Sequence, residues 1–132
     1  MTVNELYGIA DLNNINVYHF PMEKLVSVSA PDNIGIDVNK IKNTADEAVH
    51  LAHELGHCIK GAFYNIFSNC DIREKHEYKA DKWAINTLVP FDELMTSVNN
   101  GMTEAWDLAE HFNVTEEFIK KAFDIYQRMG KI

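Results

Sequence analysis

Three histidines fall within eight positions of this chain, His50, His53 and His57, and Glu54 stands among them. Residues 53–57 read His-Glu-Leu-Gly-His, an H-E-x-x-H pattern. With six His and eleven Glu in 132 residues, random order gives roughly 0.02 such matches, so chance is a poor explanation. The chemistry on offer is metal-assisted hydrolysis. On a helix, positions i and i+4 lie one above the other, so both imidazoles reach one ion at roughly 2.0–2.1 Å. Glu54 sits about 100° round the helix from His53. It flanks the ion without ligating it, where a general base for hydrolytic water must stand. His50 shares the stripe, but one straight helix cannot wrap three donors around a tetrahedral ion. The remaining ligand must come from another element, and His50 is assigned to the surface or to a supporting contact. A di-iron bundle needs a second E-x-x-H on another helix, and no other helix carries one.

The next helical segment offers Glu74, His76, Glu77 and Asp81. Glu77 and Asp81 are again i, i+4. That spacing allows Glu77 to ligate the metal while Asp81 accepts the N–H of a ligand histidine and fixes its tautomer. Glu74 shares the face and is the alternative ligand. The competing reading is a solvated face on which Lys75, Lys79 and Lys82 pair with the acids.

Elements must hold these residues in place. Thr2-x-x-Glu5 reads as a capping box and opens a helix over residues 3–13. Residues 15–20 and 25–30 alternate as strands do. Pro31-Asp32-Asn33 marks a turn, and residues 34–38 form the returning strand, giving a small N-terminal antiparallel sheet. Thr44-x-x-Glu47 reads as a second capping box. It opens the histidine helix, which Gly61 stops. Residues 61–70 form a loop, and Asp71-x-x-Glu74 starts a helix running to about Val89, before Pro90. Shorter helices follow at about 91–98, 103–112 and 116–129. Strands come early and helices late, so the class is α+β, dominated by helix.

Composition bounds the rest. A chain of 132 residues is one domain's worth, 1–132. Twenty acidic against twelve basic residues give a net charge of −8, which argues against a nucleic-acid binder. Two cysteines, Cys58 and Cys70, are too few for a disulfide scaffold. No apolar run approaches a membrane span, and no secretory signal is visible. The expected setting is cytoplasmic.

His53-Glu-Leu-Gly-His57, then Glu77-Tyr-Lys-Ala80-Asp81-Lys-Trp83-Ala84, then Leu88-Val89-Pro90, together resemble the ImmA/IrrE family of metallopeptidases. That family reads H-E-L-G-H, E-x-x-A-[ND]-x-F-A and L-x-P, and Trp83 stands where it usually has Phe. The resemblance implies a reduced gluzincin with a zincin-like fold. Zn2+ would be held by His53, His57 and Glu77, with Glu54 as catalytic base and Asp81 behind the ligands. It implies a zinc endopeptidase whose substrates are helix-turn-helix repressors of mobile elements such as prophages, or of stress responses. The alternative is a non-catalytic regulatory or antitoxin-type protein that binds a repressor or toxin. Among donors for the oxyanion, the sequence does not choose between Tyr18, Tyr64, Tyr78 and His76.

Residues 107–123 mimic a helix-turn-helix, with Thr115 capping the second helix. Four acids against two lysines there oppose DNA contact, so the segment is read as packing. The cysteines are read as free thiols. Oligomeric state is open.

Overall fold

The structure, a computed structural model, describes all 132 residues. Helix α1 (Val3–Leu12) is closed at its start by the expected reciprocal pair of Thr2 and Glu5. Three strands follow: β1 (Asn16–His19), β2 (Ser27–Ala30) and β3 (Asn33–Ile36). Helices α2 (Thr44–Lys60) and α3 (Cys70–Leu88) form the centre of the fold. Helices α4 (Phe91–Asn99), α5 (Ala105–Phe112) and α6 (Glu116–Arg128) complete the chain. The fold is α+β and helix-dominated, as read from the sequence.

The sheet departs in one respect. β2 and β3 form the expected antiparallel hairpin, but β1 pairs with β3 in parallel, so the order is β1-β3-β2 and the sheet is mixed. Residues 20–26 carry the chain from β1 past β3 to the far edge. Asp37 pins that crossing, accepting the Met22 N–H at 3.0 Å. The third strand also ends early, and residues 38–40 close into a single 3-10 turn. β2 is therefore an edge strand, and its inner side lies on α2.

Two helix starts sit one or two residues earlier than the capping pattern suggests. Asn43, not Thr44, caps α2, accepting the Asp46 N–H at 2.9 Å. Asn69 caps α3, accepting the Ile72 N–H at 2.9 Å. Asparagine in extended backbone is as good a cap as threonine or aspartate, so the tie was decided by backbone geometry. Gly61 stops α2 in the left-handed conformation, φ 60°, where a side chain would be strained.

One core unites the elements. Leu51, Ala52 and Leu55 of α2 join Ile34 and Ile36 of β3 with Ile85 and Leu88 of α3. The helix-turn-helix mimic belongs to it: Leu108, Phe112, Ile119 and Ala122 are all buried, as is Tyr126 just beyond it. Tyr126 also donates its hydroxyl to the Val89 carbonyl at 2.6 Å, so α6 is tied to the end of α3 by polar as well as apolar contact. No helix is long and apolar enough to cross a membrane.

Candidate metal centre

α2 and α3 pack against each other, and they meet where the chemistry-bearing residues lie. His53 and His57 share one face of α2, with their Nε2 atoms 3.2 Å apart. Glu77 of α3 reaches across. Its Oε2 lies 2.9 Å from His53 Nε2 and its Oε1 lies 3.3 Å from His57 Nε2. One ligand atom from each of the three residues falls within a 4.8 Å cluster. His53, His57 and Glu77 are thus close enough to bind one metal ion.

The outward sides of the imidazoles decide which nitrogens face the cluster. His53 Nδ1 lies 2.9 Å from Asp81 Oδ1, and His57 Nδ1 lies 2.6 Å from the Ala62 carbonyl oxygen. Both partners only accept, so each Nδ1 carries a hydrogen, and each Nε2, once its own proton leaves, presents a lone pair inward. This is the tautomer a metal needs, and the donor set of two imidazoles and a carboxylate fits a divalent transition metal. Ala62 clasps His57 twice, because its N–H also donates to the His57 carbonyl at 2.9 Å.

Electrostatics agree. Burial opposes charge on His53, yet the hydrogen bonds to Asp81 and Glu77 outweigh it and push His53 up to about 10. His57 is raised too: burial works against its charge, but Glu77 and the Ala62 carbonyl prevail. Glu77 is held well below the usual carboxylate range by His53 first and His57 second, with the Tyr64 hydroxyl adding to them against burial. The cluster is a concentration of negative charge and lone pairs that demands cations, whether protons or a metal.

Glu54 is buried beside this group and does not join it. Its Oε2 accepts from Ser27 Oγ at 2.7 Å and its Oε1 from Ser29 Oγ at 2.8 Å. It lines a cavity of about 390 Å³ together with His53, His57 and Glu77. Tyr64, from the loop after α2, stands at the rim and donates to Glu77 Oε1 at 2.6 Å. That bond, then burial, pushes the phenol up to about 12, so it keeps its proton at neutral pH.

The other candidates sort cleanly. Glu74 is exposed and its Oε1 lies 3.5 Å from Cys70 Sγ, away from the cluster. His50 lies 3.3 Å from Ser27 Oγ and 3.5 Å from Asp46, a supporting position. His76 stacks on Tyr64 at 6.5 Å between ring centroids. Cys58 and Cys70 are free. Sequence reading missed Ser27, Ser29 and Ala62. The alternation of Leu25-Val-Ser-Val-Ser-Ala30 did place the two serines on one strand face. Nothing in the sequence announced the Ala62 carbonyl, since a backbone acceptor has no residue signature.

A helix bearing H-E-x-x-H, joined by a carboxylate from the following helix, is the donor set of metal-dependent hydrolases. The family model described as Peptidase_M78, the IrrE N-terminal-like domain, matches residues 9–124, and the chain belongs to that family. No curated protein and no solved structure matches the chain.

Proposed function

We propose that the chain is a zinc-dependent endopeptidase that hydrolyses a peptide bond in a helix-turn-helix repressor. The observation that carries this reading is the meeting of His53, His57 and Glu77 in one cavity with Glu54 on its wall. His53 and His57 would hold zinc through Nε2 and Glu77 through its carboxylate, while Asp81 and the Ala62 carbonyl hold the imidazole planes. When bound, zinc supplies Lewis acidity to the scissile carbonyl and to the attacking water. Glu54 takes the proton from that water at its carboxylate and passes it to the leaving amine. Tyr64, still protonated at the rim, is the nearest phenol donor for the oxyanion. The free edge of β2 borders the cavity through Ser27, Val28 and Ser29, so an extended substrate segment can pair there.

The choice of a repressor rests on the family resemblance, and that of zinc on the nitrogen–oxygen donor set. The test is incubation of the zinc-loaded chain with helix-turn-helix repressors from the same genome, any encoded beside it first, with and without chelator, and with casein as a second substrate. Chelator-sensitive cleavage of the repressor at one bond is the expected result. Cleavage of casein alone would overturn the substrate class. Cleavage of neither, with the repressor retained by the chain in a pull-down, would instead favour a non-catalytic repressor-binding protein.

A further inference from the structure

The two serines on β2 are unexplained by the ligand set. Ser27 and Ser29 alternate with Val28, so both hydroxyls leave the strand on the same side, toward α2. They reach the two oxygens of one carboxylate, Glu54, at 2.7 and 2.8 Å. Residues 27 and 29 are the only side chains that hydrogen-bond Glu54, and neither is on its own helix. An ionised carboxylate has about four lone-pair sites, so two hydroxyls fix the plane of the group and leave two sites free for a proton from water. Ser27 has a second partner: His50 Nδ1, one turn before Glu54, lies 3.3 Å from its Oγ, and His50 Nε2 lies 3.5 Å from Asp46.

We propose that Ser27 and Ser29 are positioning residues for hydrolysis: they clamp the Glu54 carboxylate in the orientation that faces the metal cavity. The proposal rests on the reading of Glu54 as the base. Hydroxyls suit the task because each is both donor and acceptor. While Glu54 is ionised both serines donate to it. When it holds the proton, the Ser27 hydroxyl can turn and accept from Glu54, donating to His50 Nδ1 in the tautomer that carries its hydrogen on Nε2 toward Asp46. An amide or an ammonium donor cannot reverse in this way.

The experiment combines two readouts. In the chelator-treated chain, Ser27→Ala/Ser29→Ala, Glu54→Ala and the triple variant form a thermodynamic cycle. Tm shifts that fall short of additivity are expected, because the hydrogen bonds are lost only once. In the zinc-loaded chain with casein as substrate, Ser27→Ala/Ser29→Ala should lower kcat about 10- to 100-fold with KM within about twofold and zinc content unchanged. Ser27→Thr/Ser29→Thr, which keeps both hydroxyls on β-branched residues suited to a strand, should recover the rate. Ser29→Ala alone keeps the test readable if the double variant does not fold. Additive Tm shifts, unchanged kcat, or a Thr pair as slow as the Ala pair would each overturn the clamp. Glu54→Gln as active as the parent would instead overturn the reading on which it rests.

Discussion

Gly56 lies against Ala80: a Cβ at Gly56 would stand 2.5 Å from the Ala80 carbonyl oxygen and 2.9 Å from its Cα. Gly56 sits between His53 and His57 on α2, and Ala80 sits between Glu77 and Asp81 on α3. The two helices therefore approach closely at the middle of the donor set. A glycine and an alanine let the backbones come near enough for Glu77 to reach both Nε2 atoms and for Asp81 to reach Nδ1 of His53.

Gly56→Ala and Gly8→Ala should shift stability in opposite directions. Each gains about 1 kcal/mol in helix propensity. Nothing lies within 4 Å of a Cβ at Gly8, so Gly8→Ala should raise Tm. At Gly56 the new methyl meets backbone, and overpacking of about 1–3 kcal/mol outweighs the gain. Gly56→Ala should lower Tm and also zinc affinity, because Glu77 and Asp81 move with α3. Thermal unfolding of both variants, with a competitive zinc titration, checks this. A Gly56→Ala variant with undiminished zinc affinity would show the approach to be irrelevant to the site.

Glu77→Ala should abolish stoichiometric zinc binding, whereas Glu74→Ala should leave it within about threefold of the parent, since Glu74 stands apart from the cluster. Metal analysis after dialysis distinguishes them. Equal losses would mean that the two acids act through charge alone.

Asp81→Ala should weaken zinc binding about 10- to 100-fold while leaving one ion per chain at saturation. Lys121, whose Nζ lies 3.4 Å from Asp81 Oδ2, is half-exposed, and Lys121→Ala should change little. Zinc competition with a chromogenic chelator reads both.

The metal-free chain should depend on pH in a way the zinc form does not. His53 is pushed from 6.5 to about 10. A raised histidine adds stability that is complete below its unfolded value and is lost as pH rises through the folded one. Glu77 is lowered from 4.5, so its contribution is present above that value and lost as pH falls. The pair therefore helps most between those two ordinary values, and its help fades toward alkaline pH. The Tm difference between the parent and Glu77→Ala, both metal-free, should shrink from about pH 6 to about pH 9. Zinc affinity should rise over the same range, as protons leave the ligands. A Tm difference that widens with pH would contradict the charge assignment.

The helix-dominated α+β class and the residues that meet between α2 and α3 were both legible; the pairing within the sheet was not. His53, His57, Glu77 and Asp81 announce themselves because helical spacing turns sequence distance directly into position, and all four sit on two regular helices. The β1–β3 pairing was not legible. Alternation marks Asn16–His19 as a strand but says nothing of its neighbour, and residues 20–26 are long enough to step over a strand. Ser27 and Ser29 were visible as a same-face pair, yet what they face depends on how the sheet settles on α2. The caps slipped because Asn43 and Asn69 compete with equally competent residues beside them.

The two imidazoles are anchored by different kinds of acceptor, and this makes them unequal before mutation. His53 leans on a carboxylate, which a single codon change can remove. His57 leans on the Ala62 carbonyl, a group that every amino acid carries, so no substitution deletes it. Only a change in chain length between the end of α2 and Ala62 would. Beyond Tyr64, which bonds Glu77, the loop is free to lengthen or shorten without touching that anchor. Variation among relatives of this chain should accordingly gather after Tyr64, and insertions between His57 and Ala62 should be rare.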